Sequence, residues 1–172
     1  QVGPSCPRRS AATAIANGDR DAASAATDEL LRLAGLAATP LLDAISATAQ
    51  GTVKKTSLAD FSRPRPSGII AVDLAEGDRL IGVALTDGKH DVMLFSSGGK
   101  AVRFDETDVR PMGRNAAGVR GMMLDNGQTV ISMLVAEDEQ QSVLTATENG
   151  YGKRTPIVEY TRHGRGTKGM IA

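Results

Sequence analysis

Fourteen basic residues fall into three clusters beside glycines and turns: Lys54, Lys55, Arg63 and Arg65; then Lys100, Arg103, Arg110, Arg114 and Arg120; then Lys153, Arg154, Arg162, Arg165 and Lys168. Positive charge next to backbone that has no Cβ is the chemistry a phosphate ester needs, and it requires no side chain that reads a base. Pro64 between Arg63 and Arg65 keeps that segment extended. Arg110, Arg114 and Arg120 bracket Gly113 and Gly118, and Arg162, Arg165 and Lys168 interleave with Gly164, Gly166 and Gly169. One such cluster is an ordinary solvated face. Three in register predict a basic track, along which a duplex can bend.

The acidic residues lie between the clusters. Residues 51–68 hold four basic against one acidic residue, and 69–98 hold two against five. Residues 99–121 hold five against three, 122–149 none against five, and 150–169 five against one. The net charge of zero hides this alternation. Acidic segments at the opposite ends of the structural units would leave the basic track as the only face attractive to a polyanion.

Catalytic chemistry finds no support. His90 follows a turn lysine, and His163 lies in a glycine-rich basic loop; both read as surface histidines. No Ser-His-Asp order, Glu-x-x-His or Cys pair accompanies them, so no catalytic residue and no metal ligand is expected. Ser96-Ser97-Gly98-Gly99-Lys100 lacks the spacing of a phosphate loop and leads into a strand. Aromatics are only 3% of the chain, too few to build stacking platforms for single strands. The sole cysteine, Cys6, excludes an internal disulfide. No apolar run approaches a membrane span, and no signal peptide is recognisable.

The elements that must carry the basic residues repeat. Ala44–Gly51 is followed by Lys54-Lys55, Val92–Gly99 by Val102-Arg103, and Val143–Gly150 by Lys153-Arg154. The anchor glycines Gly51, Gly99 and Gly150 are spaced 48 and 51 residues apart. Ten residues after each comes Phe61, Val109 or Tyr160, and this shared position predicts a packing residue. A second glycine follows at Gly68, Gly118 or Gly169, preceded by Arg65, Arg114 or Arg165. Strands of four to six residues with turn chemistry between them fill each repeat. Asp87-Gly88, between Leu80–Leu85 and Asp91–Phe95, reads as a hairpin turn, as do Gly98-Gly99 and Asn149-Gly150. About four strands in ~50 residues is the size of a propeller blade. The expected fold is therefore all-β and propeller-like, with about two and a half blades over 44–172 and no helix longer than a turn after residue 50.

Residues 1–43 carry no copy of the repeat. They are rich in Ala, Arg, Ser and Pro, and 28–36 read as a short amphipathic helix with Thr27 as N-cap. A disordered tail and a segment foreign to the domain both remain open. The chain begins with Gln1 and stops shortly into its third repeat, so it reads as a piece of a longer protein.

Ala47-Thr48-Ala49-Gln50-Gly51-Thr52-Val53-Lys54-Lys55-Thr56, Val92–Phe104, Gly118-Val119-Arg120-Gly121 and Leu144–Thr155 closely resemble the C-terminal domain of the DNA gyrase A subunit. The resemblance covers roughly 46–172 and runs through strands and turns alike. It implies a six-bladed β-pinwheel in which a strand hairpin of each blade packs into its neighbour. It implies a rim that binds and wraps duplex DNA without sequence preference, and it assigns the fourteen basic residues to that rim. The implied partners are duplex DNA, the rest of the gyrase A subunit and the ATPase gyrase B subunit in a heterotetramer, in the bacterial cytoplasm. ATP and Mg would be used on other domains or subunits, with no cofactor in this stretch. The related topoisomerase IV subunit has a similar, more degenerate domain. The family's Gln-Arg-Arg-Gly-Gly-Lys-Gly box does not occur, and Arg162–Gly169 is at most a degenerate copy. A protein-binding propeller is the reading from a different class. It has no need of the same charge in every blade, and the Gly-His and Trp-Asp marks of the commonest ones are absent.

Overall fold

The computed structural model describes residues 42–63 and 69–172. The expected helix at 28–36 and Arg65 lie outside the described residues, as does nearly all of the 1–43 segment. Ten strands are present: β1 (Asp43–Thr48), β2 (Thr52–Ser57), β3 (Leu80–Thr86), β4 (Asp91–Ser96), β5 (Lys100–Asp105), β6 (Val119–Arg120), β7 (Val130–Ala136), β8 (Ser142–Ala146), β9 (Gly152–Pro156) and β10 (Met170–Ile171). The helical elements among the described residues are three short 3-10 turns, Leu58–Phe61, Glu106–Asp108 and Ile157–Glu159, at the same place in each repeat.

The strands form two four-stranded sheets, ordered β3-β1-β2-β6 and β10-β5-β4-β7, and a separate β8-β9 pair. The hairpins β1-β2, β4-β5 and β8-β9 stand where the anchor glycines predict. Gly51, Gly99 and Gly150 each have φ between 71° and 83°, which a residue with a Cβ rarely adopts. Their amides close the turns onto Thr48, Ser96 and Thr147.

One expectation about connectivity changes. Asp87-Gly88 is no hairpin: β3 pairs with β1, and β4 pairs with β5 and β7, so this turn carries the chain from one sheet to the next. The acidic loop between β7 and β8 does the same. An Asp-Gly turn fixes a local reversal, but which strand pairs with which is a long-range choice. In addition, the element handed between neighbouring units is a short strand. β6 of the second repeat pairs with β2 of the first, and β10 of the third pairs with β5 of the second.

Packing explains why the hairpin strand β4 is apolar from Val92 to Phe95 without a break. On β4, Val92 and Leu94 join a core with Ile45, Ala47 and Val53 of the first repeat. Met93 and Phe95 turn the other way, into a core with Val143, Ile157 and Tyr160 of the third. A strand covered on both faces loses the usual apolar–polar alternation. Phe61, Val109 and Tyr160, the repeat-matched packing positions, are all buried, and Tyr160 meets Phe95 edge to face at 6.1 Å.

Candidate nucleic-acid interface

After the second and the third 3-10 turn the chain crosses onto the preceding sheet as a loop. The loop 109–121 holds Arg110, Arg114 and Arg120 and no acid, and the loop 160–169 holds Arg162, Arg165 and Lys168 and no acid. Main-chain bonds lay the first loop on β2, through Met112 N–H to Lys55 O (2.8 Å) and Gly121 N–H to Gly51 O (2.8 Å). The second loop lies on β5 through His163 N–H to Arg103 O (2.8 Å). The loops also bond to each other, from Gly166 N–H to Gly121 O (2.6 Å) and from Met123 N–H to Thr167 O (2.8 Å). They therefore form one continuous layer.

Glycine makes the close approach possible. A Cβ at Gly118 would lie 2.7 Å from Val53 O, and one at Gly169 would strike Ala101 O of the next sheet. Both residues have positive φ, at 91° and 73°.

Within this layer Arg110, Arg120, Arg162, Arg165 and Lys168 are exposed and Arg114 is half-buried. Arg114 Nη1 donates to Ile70 O (3.1 Å), and Arg165 Nη1 donates to Arg120 O (3.1 Å) at the matching position one repeat later. Each of these arginines thus ties its own loop to the preceding one. Carboxylates engage some of the cations. Arg162 pairs with Asp91 (3.0 Å) and Asp105 (3.6 Å). Lys168 (2.6 Å) and the half-buried Lys100 (2.9 Å) share Asp125. Hydrogen bonds from Lys168 and then Lys100 hold the Asp125 carboxyl down to about 2. A side-chain hydrogen bond from Thr107 lowers Asp105 as well. Arg63 is exposed at the end of the first 3-10 turn.

Three strand residues depart from the expectation of a surface position. Lys54, Lys55 and Arg103 are 2%, 4% and 5% exposed. The loop of the following repeat covers the hairpin strand that carries them, so their charge is spent inside. Lys54 Nζ donates to Ala71 O and Arg114 O, and burial lowers its pKa. Lys55 Nζ donates to Glu106 O (3.0 Å). Arg103, the equivalent of Lys55, donates from Nη1 to Ile157 O (3.0 Å) and Tyr160 O (3.2 Å). Its Nε bonds the buried Asp91 (2.6 Å) and its Nη2 bonds Glu139 (2.7 Å). Burial opposes the Arg103 charge, but its hydrogen bonds to Glu139 and Asp91 outweigh it and raise its pKa. Lys55 and Arg103 thus each hold the 3-10 turn of the next repeat. The third-repeat counterparts, Lys153 and Arg154, are exposed on β9, with no following loop over them among the described residues.

Sequence reasoning missed Asp91, the buried carboxylate that joins Arg103 to Arg162. An aspartate opening an apolar strand, with arginine on the facing strand, was the available signal.

The family description "DNA gyrase C-terminal domain, beta-propeller" matches residues 43–87, 90–137 and 141–172, one match per repeat. The DNA gyrase A subunit of Pseudomonas aeruginosa is 62% identical over 126 residues, covering 73% of this chain. That of Escherichia coli is 54% identical over the same length. The chain spans 14% of the length of each of these relatives. Among solved structures, the C-terminal domain of DNA topoisomerase IV superposes with a TM-score of 0.73 at 31% identity, over 76% of this chain and 41% of that one. The DNA gyrase A C-terminal domain gives 0.69 at 28%, over 77% and 43%. With repeat boundaries, sheet order and sequence in agreement, the chain belongs to the family of DNA gyrase A C-terminal β-propeller domains.

Proposed function

We propose that the two stacked loops bind the phosphate backbone of duplex DNA without sequence preference, and bend it as part of a DNA gyrase A subunit. The observation that carries this reading is the layer itself. Consecutive repeats place three basic and no acidic residues each on one surface, with glycines where backbone must come close. In this reading charge and shape do the binding, without side chains that read bases. Within the whole enzyme this domain would wrap DNA so that strand passage, driven by ATP hydrolysed on the gyrase B subunit, introduces negative supercoils in the bacterial cytoplasm. Cleavage chemistry, ATP and Mg belong to other parts of that assembly.

A gel shift on duplex DNA across several salt concentrations tests the reading. Log K falls with log salt by about 0.9 per phosphate neutralised, and affinity varies little with DNA sequence. A salt-independent or strongly sequence-dependent complex overturns it. Relaxing a nicked circle in the presence of the chain and then sealing it tests bending separately. Bending 20–30 bp by 40–90° costs on the order of 1–6 kcal/mol, so two loops produce a modest shift in linking number and not a full wrap. The topoisomerase IV reading has a specific observation in its favour, the higher superposition score. The identity to gyrase A sequences favours gyrase.

A further inference from the structure

The middle repeat departs from its neighbours at one buried pair. The bond that ties each 3-10 turn to the start of its hairpin runs from Leu58 N–H to Leu42 O, from Glu106 N–H to His90 O and from Ile157 N–H to Gln141 O. Glu106 therefore stands where the other repeats have Leu58 and Ile157, which are buried and apolar. Glu106 is itself fully buried, at 0% exposure. The fold is satisfied by an aliphatic chain at this place, and burying a carboxylate is costly unless it is paired.

That carboxylate is incompletely paired. Oε1 accepts from His90 N–H at 2.7 Å, but Oε2 is buried without a hydrogen-bond partner. The sequence predicts a surface position for His90, yet its Nδ1 is buried too. It lies 3.0 Å from Asp87 Oδ1 and 3.8 Å from Glu106 Oε1 without making an aligned hydrogen bond to either. Thr86 Oγ1, one residue before Asp87, is a further buried atom without a partner. One ligand atom each from Asp87, His90 and Glu106 lie within 4.8 Å of one another. Asp43, paired across the sheet with Thr86, adds negative charge; burial raises its pKa, Lys55 opposes this, and Glu106 adds to it. The nearby cation, Lys55, bonds the main chain of Glu106 rather than its carboxylate.

We propose that Asp87, His90 and Glu106 bind a first-row transition-metal dication, for which Zn2+ fits best, at the crossover between the first and second sheets. One imidazole nitrogen and two carboxylate oxygens form a donor set for such an ion, whereas Ca2+ and Mg2+ require more oxygens. Zn–N and Zn–O bonds of about 2.0–2.2 Å put tetrahedral ligand atoms a little over 3 Å apart. The 3.0 and 3.8 Å separations bracket that value. Asp87 is 40% exposed, which leaves the ion an entry path and room for water in its fourth position. Two ligands come from the crossover Thr86–Asp91 and the third from the 3-10 turn, so the ion fastens the passage between sheets to the body of the second repeat.

The 172-residue chain, free of tags and dialysed against a chelator, is titrated with ZnCl2 by calorimetry and by thermal unfolding. One equivalent binds, and at a hundredfold excess over Kd the midpoint rises by about 5–10 °C. MgCl2 and CaCl2 at millimolar concentration leave it unchanged. Asp87→Asn and His90→Gln weaken Zn2+ binding by roughly tenfold or more. Glu106→Leu, which installs the first-repeat residue, abolishes binding yet raises the midpoint of the metal-free chain, so its loss of binding is not a loss of fold. His163→Gln and Cys6→Ser retain the stoichiometry. A folded wild-type chain that takes up no Zn2+ overturns the proposal. So do unchanged affinity in His90→Gln and Glu106→Leu, and an equal response to Mg2+.

Discussion

Strand and loop arginines of the second and third repeats meet at one carboxylate and end in opposite states. Arg103 and Arg162 both bond Asp91 Oδ2, yet the first is 5% exposed and the second 54%. The same division runs through the whole basic set. Lys54, Lys55 and Arg103 lie on hairpin strands that the next repeat's loop covers, and they bond carbonyls and carboxylates inside. Arg110, Arg120, Arg165 and Lys168 lie on the covering loops and face out. Residue type and neighbouring glycines are alike in the two groups. Position in the stacking order of the repeats decides whether a positive charge fastens the fold or faces solvent.

The largest expected effect on this contrast comes from Arg103→Ala. It leaves Asp91 buried without its closest cation and two carbonyls without a donor. Breaking a buried ion pair on one side costs about 3–5 kcal/mol, read by urea unfolding. The salt slope of DNA binding by the folded fraction stays the same. A clear loss of slope with unchanged stability would place Arg103 on the DNA-facing surface instead.

Lys54→Ala comes next. Two half-buried carbonyls lose a donor, at about 1–3 kcal/mol, again with no change in slope. The folded Lys54 pKa lies below 10.5, so its ammonium weighs against folding at neutral pH. The wild type therefore gains stability as pH rises through that lowered pKa towards 10.5, and the variant lacks this rise.

On the loops the expected signs reverse. Arg110→Ala together with Arg120→Ala leaves the unfolding midpoint nearly unchanged and flattens the salt slope by about two units, so that between 50 and 200 mM salt the variant's affinity falls roughly tenfold less than the wild type's. An unchanged slope in the folded double variant removes the loop layer from the interface.

Asp125→Asn gives the smallest effect. It frees Lys100 and Lys168 from their shared carboxylate and steepens the slope by up to about one unit per freed cation. The Asp125 carboxyl is lowered on folding, so the stability it adds is complete above 3.8 and is lost as pH falls through about 2. The variant shows no such loss, and acid unfolding followed over that range reads the difference.

Much of the architecture was legible in the repeat. Gly51, Gly99 and Gly150 marked the three hairpins because a tight turn with positive φ favours glycine. Phe61, Val109 and Tyr160 marked the packing position because it is buried in every copy. The loop clusters were legible because acid is absent from them in two successive repeats. Asp87-Gly88 misled because a reversal of direction looks alike in sequence whether the next strand pairs with the last or enters another sheet.

The period, the turns, the strands and the segments that carry positive charge all follow from local residue type and spacing, so the order of amino acids was enough to define them. Which of those charges face solvent is a long-range outcome. It depends on the loop of the following repeat, fifty residues along the chain, lying over Lys54, Lys55 and Arg103. The convergence of Glu106, His90 and Asp87 has the same origin. Asp-x-x-His is an ordinary turn until a glutamate sixteen residues after the histidine is folded back against it, at a place where both flanking repeats keep a hydrocarbon.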